Sequence, residues 1–274
     1  MRADLHIHSV YSDGLYSPDE ICKKAKSRGL SFLSITDHDT LAGEDVKRAL
    51  AKKHALSYLS GWEISAYDGD QKIHVLGYGC RRNDAYADFV EERKKASKLR
   101  AQDMVEKLNA IGIDLTFQEV LIQMSSPDLP VHAMHVARAL GGRLNIRAED
   151  AYMQYLAYGR VANSGVGRPT PYEAVDCIHA LCGKAVIAHP GRLTMDEQTR
   201  ERTLNDLFDY GADGIEAFYT THTDKETSYF LAMAKAKNLI VTGGSDTHYE
   251  NGEREIGTPF YRMDERLMEL CENN

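Results

Sequence analysis

Short apolar segments alternate along the chain with segments of helical periodicity. Within residues 3–8, Leu5 and Ile7 face one way, and Asp4, His6 and His8 face the other. Further runs rich in β-forming residues predict strands over residues 30–36, 57–63, 72–79, 184–188, 214–218 and 239–243. Because strands that alternate with helices are typical of repeated βα units, we expect an α/β fold.

Two capping boxes mark the positions where helices begin. Residues 17–20 read Ser-Pro-Asp-Glu and residues 170–173 read Thr-Pro-Tyr-Glu, each with proline at the first helical position. The glycines at 29 and 183 are suited to end these helices. The pattern therefore predicts helices over about residues 18–28 and 171–182.

The alternation changes between residues 84 and 169. Three helical patterns follow one another there without a strong strand between them, over 91–110, 131–140 and 148–158. We interpret residues 84–169 as a helical insertion or lid. The remaining residues, 1–83 and 170–274, are then one discontinuous βα barrel.

Composition narrows the class of protein. The chain has 274 residues and a net charge of −8, which argues against binding long nucleic acid, since that binding relies on Lys and Arg. No stretch approaches the ~20 apolar residues of a membrane span. Five cysteines without C-x-x-C spacing and the lack of a signal-like N-terminus favour free thiols and a cytoplasmic location. The sequence leaves the oligomeric state open.

One figure stands out from this ordinary composition, namely 11 histidines, several of them in short polar motifs. Most of these motifs follow predicted strands, where βα folds place their active sites. The candidate residues are His6, His8, Asp13, His38, Glu63, His74, His189, Asp246 and His248. A single histidine in a strand is usually a hydrogen-bonded core or surface residue. So many nitrogen and oxygen donors on successive strand ends instead predict a metal centre.

At this point the sequence resembles a known family, the polymerase and histidinol phosphatase (PHP) metal-dependent phosphoesterases. The matching motifs, in chain order from His6 to His248, are H-I-H-S followed by S-D-G, T-D-H-D, G-W-E, I-H-V-L-G-Y, H-V-A-R, A-H-P-G-R and G-S-D-T-H. Within the family it is most similar to the nucleoside 3′,5′-bisphosphate phosphatases that also trim short RNA, chiefly through H-x-A-R and A-H-P-G-R.

The resemblance implies a distorted (β/α)7 barrel that carries three divalent metal ions. It assigns the first ion to His6, His8, Glu63 and Asp246, the second to Glu63, His74 and His135, and the third to Asp13, His38 and His248. His189 would stand beside the third ion, as a ligand or an acid–base group. His132 lies one turn from His135 and is an equally good candidate by sequence. Manganese is the family's metal, and the donor set also admits iron or zinc.

The resemblance also implies roles in catalysis. Arg138 and Arg192 would bind the phosphate, since arginine suits bidentate phosphate contacts. We expect the ions bridged by Glu63 to activate the attacking water, and His189 or His248 to protonate the leaving hydroxyl group.

The predicted function is hydrolysis of a small phosphorylated nucleotide, namely the 3′-phosphate of a 3′,5′-bisphosphonucleoside, and of short oligonucleotides. The alternatives are a phosphatase like histidinol phosphatase and a non-catalytic, metal-stabilised PHP module. Three further histidines, His54, His179 and His222, match no motif, and we assign them no role.

Overall fold

The computed structural model describes residues 1–69, 71–250, 252 and 254–272, without the side chains of residues 271 and 272. The strands are β1 Arg2–Asp4, β2 Phe32–Leu33, β3 Ser57–Tyr58, β4 Gly61–Asp68, β5 Gln71–Tyr78, β6 Lys184–Ile187, β7 Gly214–Tyr219, β8 Ile240–Gly244 and β9 Tyr261–Arg262. The helices are α1 Pro18–Ser27, α2 Glu44–Lys53, α3 Asp84–Ala110, α4 Phe117–Leu121, α5 Ala133–Leu144, α6 Ala148–Ala151, α7 Pro171–Ala180, α8 Glu197–Tyr210, α9 Asp224–Lys237 and α10 Glu265–Glu272.

The strands form two sheets, and the α/β class is confirmed. One sheet has the order β3-β2-β1-β9 and the other the order β4-β5-β6-β7-β8. The pairs β1–β2, β2–β3, β6–β7 and β7–β8 are parallel, whereas β4–β5, β5–β6 and β1–β9 are antiparallel.

The two sheets are joined at two places, where the chain continues beyond β1 and beyond β2 and meets the two edges of the larger sheet. A parallel bridge joins Ile7 to Thr247 at one junction, and another joins His38 to Glu63 at the other. Candidate metal ligands from separate sheets are thereby brought side by side. The regular pairing ends at these bridges, so the strands form two joined sheets rather than one continuous ladder.

The β4–β5 pair corrects the expectation that the predicted strand over residues 57–63 ends at Glu63. The two strands form an antiparallel hairpin, in which Ser65 lies opposite His74. Gly69 enters the turn with φ = +55°, a conformation that glycine adopts without strain. Glu63 is therefore the third residue of β4, and His74 lies within β5.

Both predicted capping boxes are confirmed, at the start of α1 and α7. In the insertion, the helix predicted over 148–158 is shorter than expected. After α6 the chain forms a π-helical turn over Tyr152–Leu156 and then becomes extended at Ala157. The long helix α3 begins earlier than predicted, because the Asn83 side chain accepts the N–H of Tyr86 and caps it.

The apolar side chains of the insertion form a cluster of their own. Met104 and Val105 of α3 pack there with Val120 of α4 and Leu140 of α5. A separate cluster lies between the larger sheet and helices α7, α8 and α9. No helix within the described residues has the length and apolar character that a bilayer span requires. The cysteines at 22, 80, 177 and 182 are free, and the side chain of Cys271 lies outside the described residues.

Candidate metal centre

The first group of donors gathers where the chain continues beyond β1. His6 Nε2 lies 3.2 Å from Glu63 Oε2 and 3.5 Å from Asp246 Oδ1. His8 Nε2 lies 3.1 Å from the same Glu63 oxygen and 3.2 Å from the same Asp246 oxygen. All four side chains are buried, and they are the four that the sequence assigned to one ion.

Two further groups adjoin the first. His38, Glu63 and His74 form one, with His74 Nδ1 2.5 Å from Glu63 Oε1 and His38 Nδ1 3.2 Å from Glu63 Oε2. His8, Asp13, His38 and His248 form the other, with His248 Nε2 3.2 Å from Asp13 Oδ1. Because Glu63, His8 and His38 each belong to two groups, the three groups form one continuous cluster.

The position of His189 differs from the expectation. We expected it beside the Asp13, His38 and His248 group. Instead its Nε2 lies 3.1 Å from Glu63 Oε1, and its ring centre lies 5.1 Å from that of His74. His189 therefore belongs beside the Glu63 and His74 group.

The geometry of His135 does not fit the role of metal ligand. Its Nδ1 accepts the backbone N–H of His132 at 3.0 Å, so Nε2 carries the proton and donates to the Ser12 carbonyl at 3.1 Å. No lone pair remains for a metal. His132, in contrast, has a buried Nε2 without a hydrogen-bond partner among the described residues, and its ring centre lies 5.6 Å from that of His38.

The donor atoms of the cluster fit a divalent cation. Buried polar atoms are normally hydrogen-bonded, and each that is not raises the free energy of the folded state. Here several donors lack a hydrogen-bond partner among the described residues, namely His6 Nε2, both ring nitrogens of His8, Asp13 Oδ1, Glu63 Oε2 and His74 Nε2. Imidazole and carboxylate donors at this spacing suit Mn, Fe or Zn.

The charges of the cluster are strongly coupled. Burial would raise the pKa of Glu63, but the neighbouring His74, His6 and His38 hold it well below its ordinary value. Burial would lower the pKa of His8, but Asp246 and Glu63 raise it to about 9. The carboxylates therefore stay ionised, and a divalent cation bound by these residues would take the place of the imidazole protons.

Further residues orient the donors, and the sequence did not assign them. Glu216 of β7 accepts His6 Nδ1–H at 3.0 Å with one oxygen and the backbone N–H of His189 at 2.7 Å with the other. Such carboxylate–histidine pairs fix the ring of a metal ligand. A lone carboxylate within the apolar strand 214–218 was the available signal for Glu216.

Asp246 is held in a similar way. Its Oδ2 accepts hydrogen bonds from the Tyr219 hydroxyl at 2.8 Å, from Arg254 at 3.0 Å and from Arg192 at 3.2 Å. These contacts direct Oδ1 toward His6 and His8.

Both predicted phosphate-binding arginines line a cavity of about 830 Å³ above the cluster. Arg192 also donates to the Tyr219 hydroxyl at 3.1 Å, and Arg138 donates to the Asp13 carbonyl. Each therefore has a protein partner as well as a surface toward the cavity.

The three unassigned histidines lie apart from the cluster. His54 contacts Asp19, and His179 contacts Asp213, both near the surface. His222 accepts the backbone N–H of Gly191 at 3.1 Å and thereby contacts the loop that follows His189.

Comparison with known proteins agrees with this site. The PHP domain family matches residues 4–158. A 5′-3′ exoribonuclease from Haemophilus influenzae is 30% identical over 93% of both chains. A 3′,5′-nucleoside bisphosphate phosphatase from Chromobacterium violaceum is 30% identical over 93% of this chain and 90% of its own. A phosphoribosyl 1,2-cyclic phosphate 1,2-diphosphodiesterase from Eggerthella lenta is 29% identical over 92% of this chain and 96% of its own.

Solved structures agree as well. An amidohydrolase from Chromobacterium violaceum superposes with a TM-score of 0.88 at 28% identity, covering 98% of this chain and 97% of its own. A protein from Bifidobacterium adolescentis that is predicted to be a metal-dependent phosphoesterase superposes with a TM-score of 0.86 at 27% identity. The match covers 99% of this chain and 96% of that protein. The fold and the site together define a metal-dependent hydrolase of phosphoric esters. The chain belongs to the PHP domain family.

Proposed function

We propose that this phosphoesterase removes the 3′-phosphate of 3′,5′-bisphosphonucleosides and also acts on short oligonucleotides. The observation that carries the proposal is the continuous cluster of three donor groups beneath a cavity whose lining includes Arg138 and Arg192. The names of the relatives from Chromobacterium violaceum and Haemophilus influenzae support this choice of substrate.

The proposed cofactors are three divalent ions, with manganese preferred and iron or zinc admissible. One ion would bind His6, His8, Glu63 and Asp246, and another would bind Asp13, His38 and His248. For the ion held by Glu63 and His74, we propose His189 as the third ligand in place of His135, because His189 Nε2 lies beside Glu63. Bound divalent ions lower the pKa of coordinated water and offset phosphoryl charge.

The protein's own groups would bind and orient the substrate. Arg138 and Arg192 reach the cavity and can hold phosphoryl oxygens. We had expected His189 or His248 to protonate the leaving group, but each offers a ring nitrogen to a carboxylate of the cluster. We therefore assign contact with the leaving hydroxyl to His132. Burial lowers its pKa to about 3, so the neutral ring acts as a hydrogen-bond partner.

The test is phosphate release from adenosine 3′,5′-bisphosphate by purified protein with Mn²⁺. Asp246→Asn and His8→Ala should each abolish release, while the matched surface variant His179→Ala should retain it. Release that survives Asp246→Asn would contradict the proposal. Histidinol phosphate, run in parallel, distinguishes the histidinol-phosphatase alternative. A melting temperature that falls with EDTA, without turnover of any ester, would indicate a non-catalytic module.

We also propose, from the sequence, the distorted (β/α)7 barrel as the description of the two joined sheets. We propose likewise that residues 1–83 and 170–274 form the barrel, that residues 84–169 form an insertion, and that the protein is cytoplasmic. The separate apolar cluster of the insertion supports the division.

A further inference from the structure

Two cations at the outer part of the cavity have no role in the proposed centre. Lys72 on β5 and Arg100 on α3 both line the cavity that covers the metal cluster. Lys72 is two residues from His74, so both side chains project from the same face of β5, with Cα atoms about 6.6 Å apart. Lys72 thus lies one strand step outward from the metal cluster.

Neither cation is engaged by the part of the protein that the structure describes. Within it, Lys72 Nζ and the Arg100 guanidinium make no hydrogen bond or ion pair, whereas Arg138 and Arg192 each have protein partners. Both cations line the same cavity as the candidate ligand His74. They are therefore open to a ligand that also reaches the metal cluster.

We propose that Lys72 and Arg100 form a second anion subsite, which binds the phosphate of a bisphosphorylated nucleotide that is not hydrolysed. The inference rests on the proposed function, since it needs a phosphoryl group at the metal cluster. Because Lys72 is one strand step from His74 and lines the same cavity, a second phosphate on a nucleotide bound at the metal cluster can approach it. A compact ammonium and a planar guanidinium together suit a phosphate held at one end of the substrate.

The kinetic test compares two substrates that differ only in the second phosphate. Lys72→Met and Arg100→Met should each raise KM for adenosine 3′,5′-bisphosphate about ten-fold or more, with little change in kcat. Neither should change KM for adenosine 3′-monophosphate, and Lys72→Arg should retain most of the wild-type behaviour. The matched control is Lys184→Met on β6, because Lys184 Nζ is paired with Asp213 at 2.8 Å away from the cavity.

Failure of this inference is distinguishable from failure of the proposed function. An unchanged KM for the bisphosphate, or an equal rise for both substrates, overturns the subsite and leaves the function standing. If the wild type hydrolyses neither substrate, the subsite is tested instead by measuring the binding of adenosine 3′,5′-bisphosphate by calorimetry. In that case Lys72→Met should bind it about ten-fold more weakly than the wild type, and equal binding overturns the subsite. Lys72→Gln replaces Lys72→Met if thermal unfolding shows that the latter is not folded.

Discussion

Lys47 Nζ lies 2.8 Å from Asp37 Oδ2, and neither side chain has any solvent exposure. Asp37 also accepts the hydroxyl groups of Ser9 and Ser12 and the backbone N–H of Ser9, each at 2.7 Å. The buried ion pair thus holds the loop that leads from His8 to Asp13. Lys47 contacts no candidate ligand itself, and its effect on the metal cluster passes through Asp37.

Lys47→Met should lower the free energy of unfolding by about 3–5 kcal/mol, because it leaves Asp37 buried without its cation. Burial raises the pKa of Asp37, but Lys47 holds it below its ordinary value. A lowered pKa contributes stability above the ordinary carboxyl pKa and loses it as the pH falls. The difference between wild type and variant should therefore shrink as the pH falls below about 4, as measured by urea unfolding at several pH values.

Lys53→Met is the matched control for this prediction. Lys53 lies on the same helix, α2, and its Nζ is 3.2 Å from the partly exposed Asp19. Exposed pairs of this kind contribute at most about 1 kcal/mol. A loss of stability as large as that of Lys47→Met, or a difference that grows at low pH, would contradict the role of the buried pair.

The sequence identified most of the clustered donor residues because they lie in short motifs on early and late strands. The alternation of one strand is enough to place His6 and His8 on the same face, and Asp246 and His248 directly follow another predicted strand. The choice between His135 and His189 could not be made in this way. It depends on the Ser12 carbonyl, which comes from a distant loop and occupies a nitrogen of His135.

Lys47 illustrates a second limit. Lys47 is one of several lysines on α2, and the hydrophobic periodicity of the helix does not distinguish it, as a buried residue, from Lys52 or Lys53. Only the tertiary fold places Asp37 against it, and only then does its burial become favourable. The antiparallel β4–β5 hairpin was missed for a different reason, because its signal is local: only two residues separate the strands, and so short a connection joins antiparallel strands.

His189→Ala and His135→Ala should separate the two candidate ligands. After dialysis against Mn²⁺, His189→Ala should retain less metal per chain than the wild type, as measured by mass spectrometry. His135→Ala should retain its metal but lose about 1–3 kcal/mol of stability, because the Ser12 carbonyl and the His132 N–H lose their partner. The reverse pattern, with metal lost only in His135→Ala, would restore the original assignment.

Tyr219→Phe should weaken the metal site without touching a ligand. The variant removes the hydroxyl that donates to Asp246 Oδ2 at 2.8 Å. Loss of such an outer partner typically lowers metal affinity about 10–100-fold, which a competition titration with a chelator measures. Tyr210→Phe is the control, since that hydroxyl donates to Asp176 at the surface. Equal metal affinity in wild type and Tyr219→Phe would show that Asp246 needs no such support.

Gly191→Ala should displace the loop that carries His189 and Arg192. A Cβ atom at Gly191 would lie 2.6 Å from His222 Cδ2, and His222 is itself fixed by a hydrogen bond from its Nδ1 to the Ala217 carbonyl at 3.0 Å. Small displacements of catalytic groups can reduce rates by up to about 100-fold, so we expect kcat/KM for phosphate release to fall by about ten-fold or more.

A second substitution tests whether this collision is the cause. Adding His222→Ala to Gly191→Ala removes the ring and should restore part of the activity, although it also removes the acceptor of the Gly191 N–H. Gly142→Ala on α5 is the control, because no atom lies within 4 Å of its added Cβ. It should leave kcat/KM unchanged. If the double variant is no more active than Gly191→Ala, contact with His222 is not what fixes the loop, and the position of Arg192 depends on its bonds to Tyr219 and Asp246 instead.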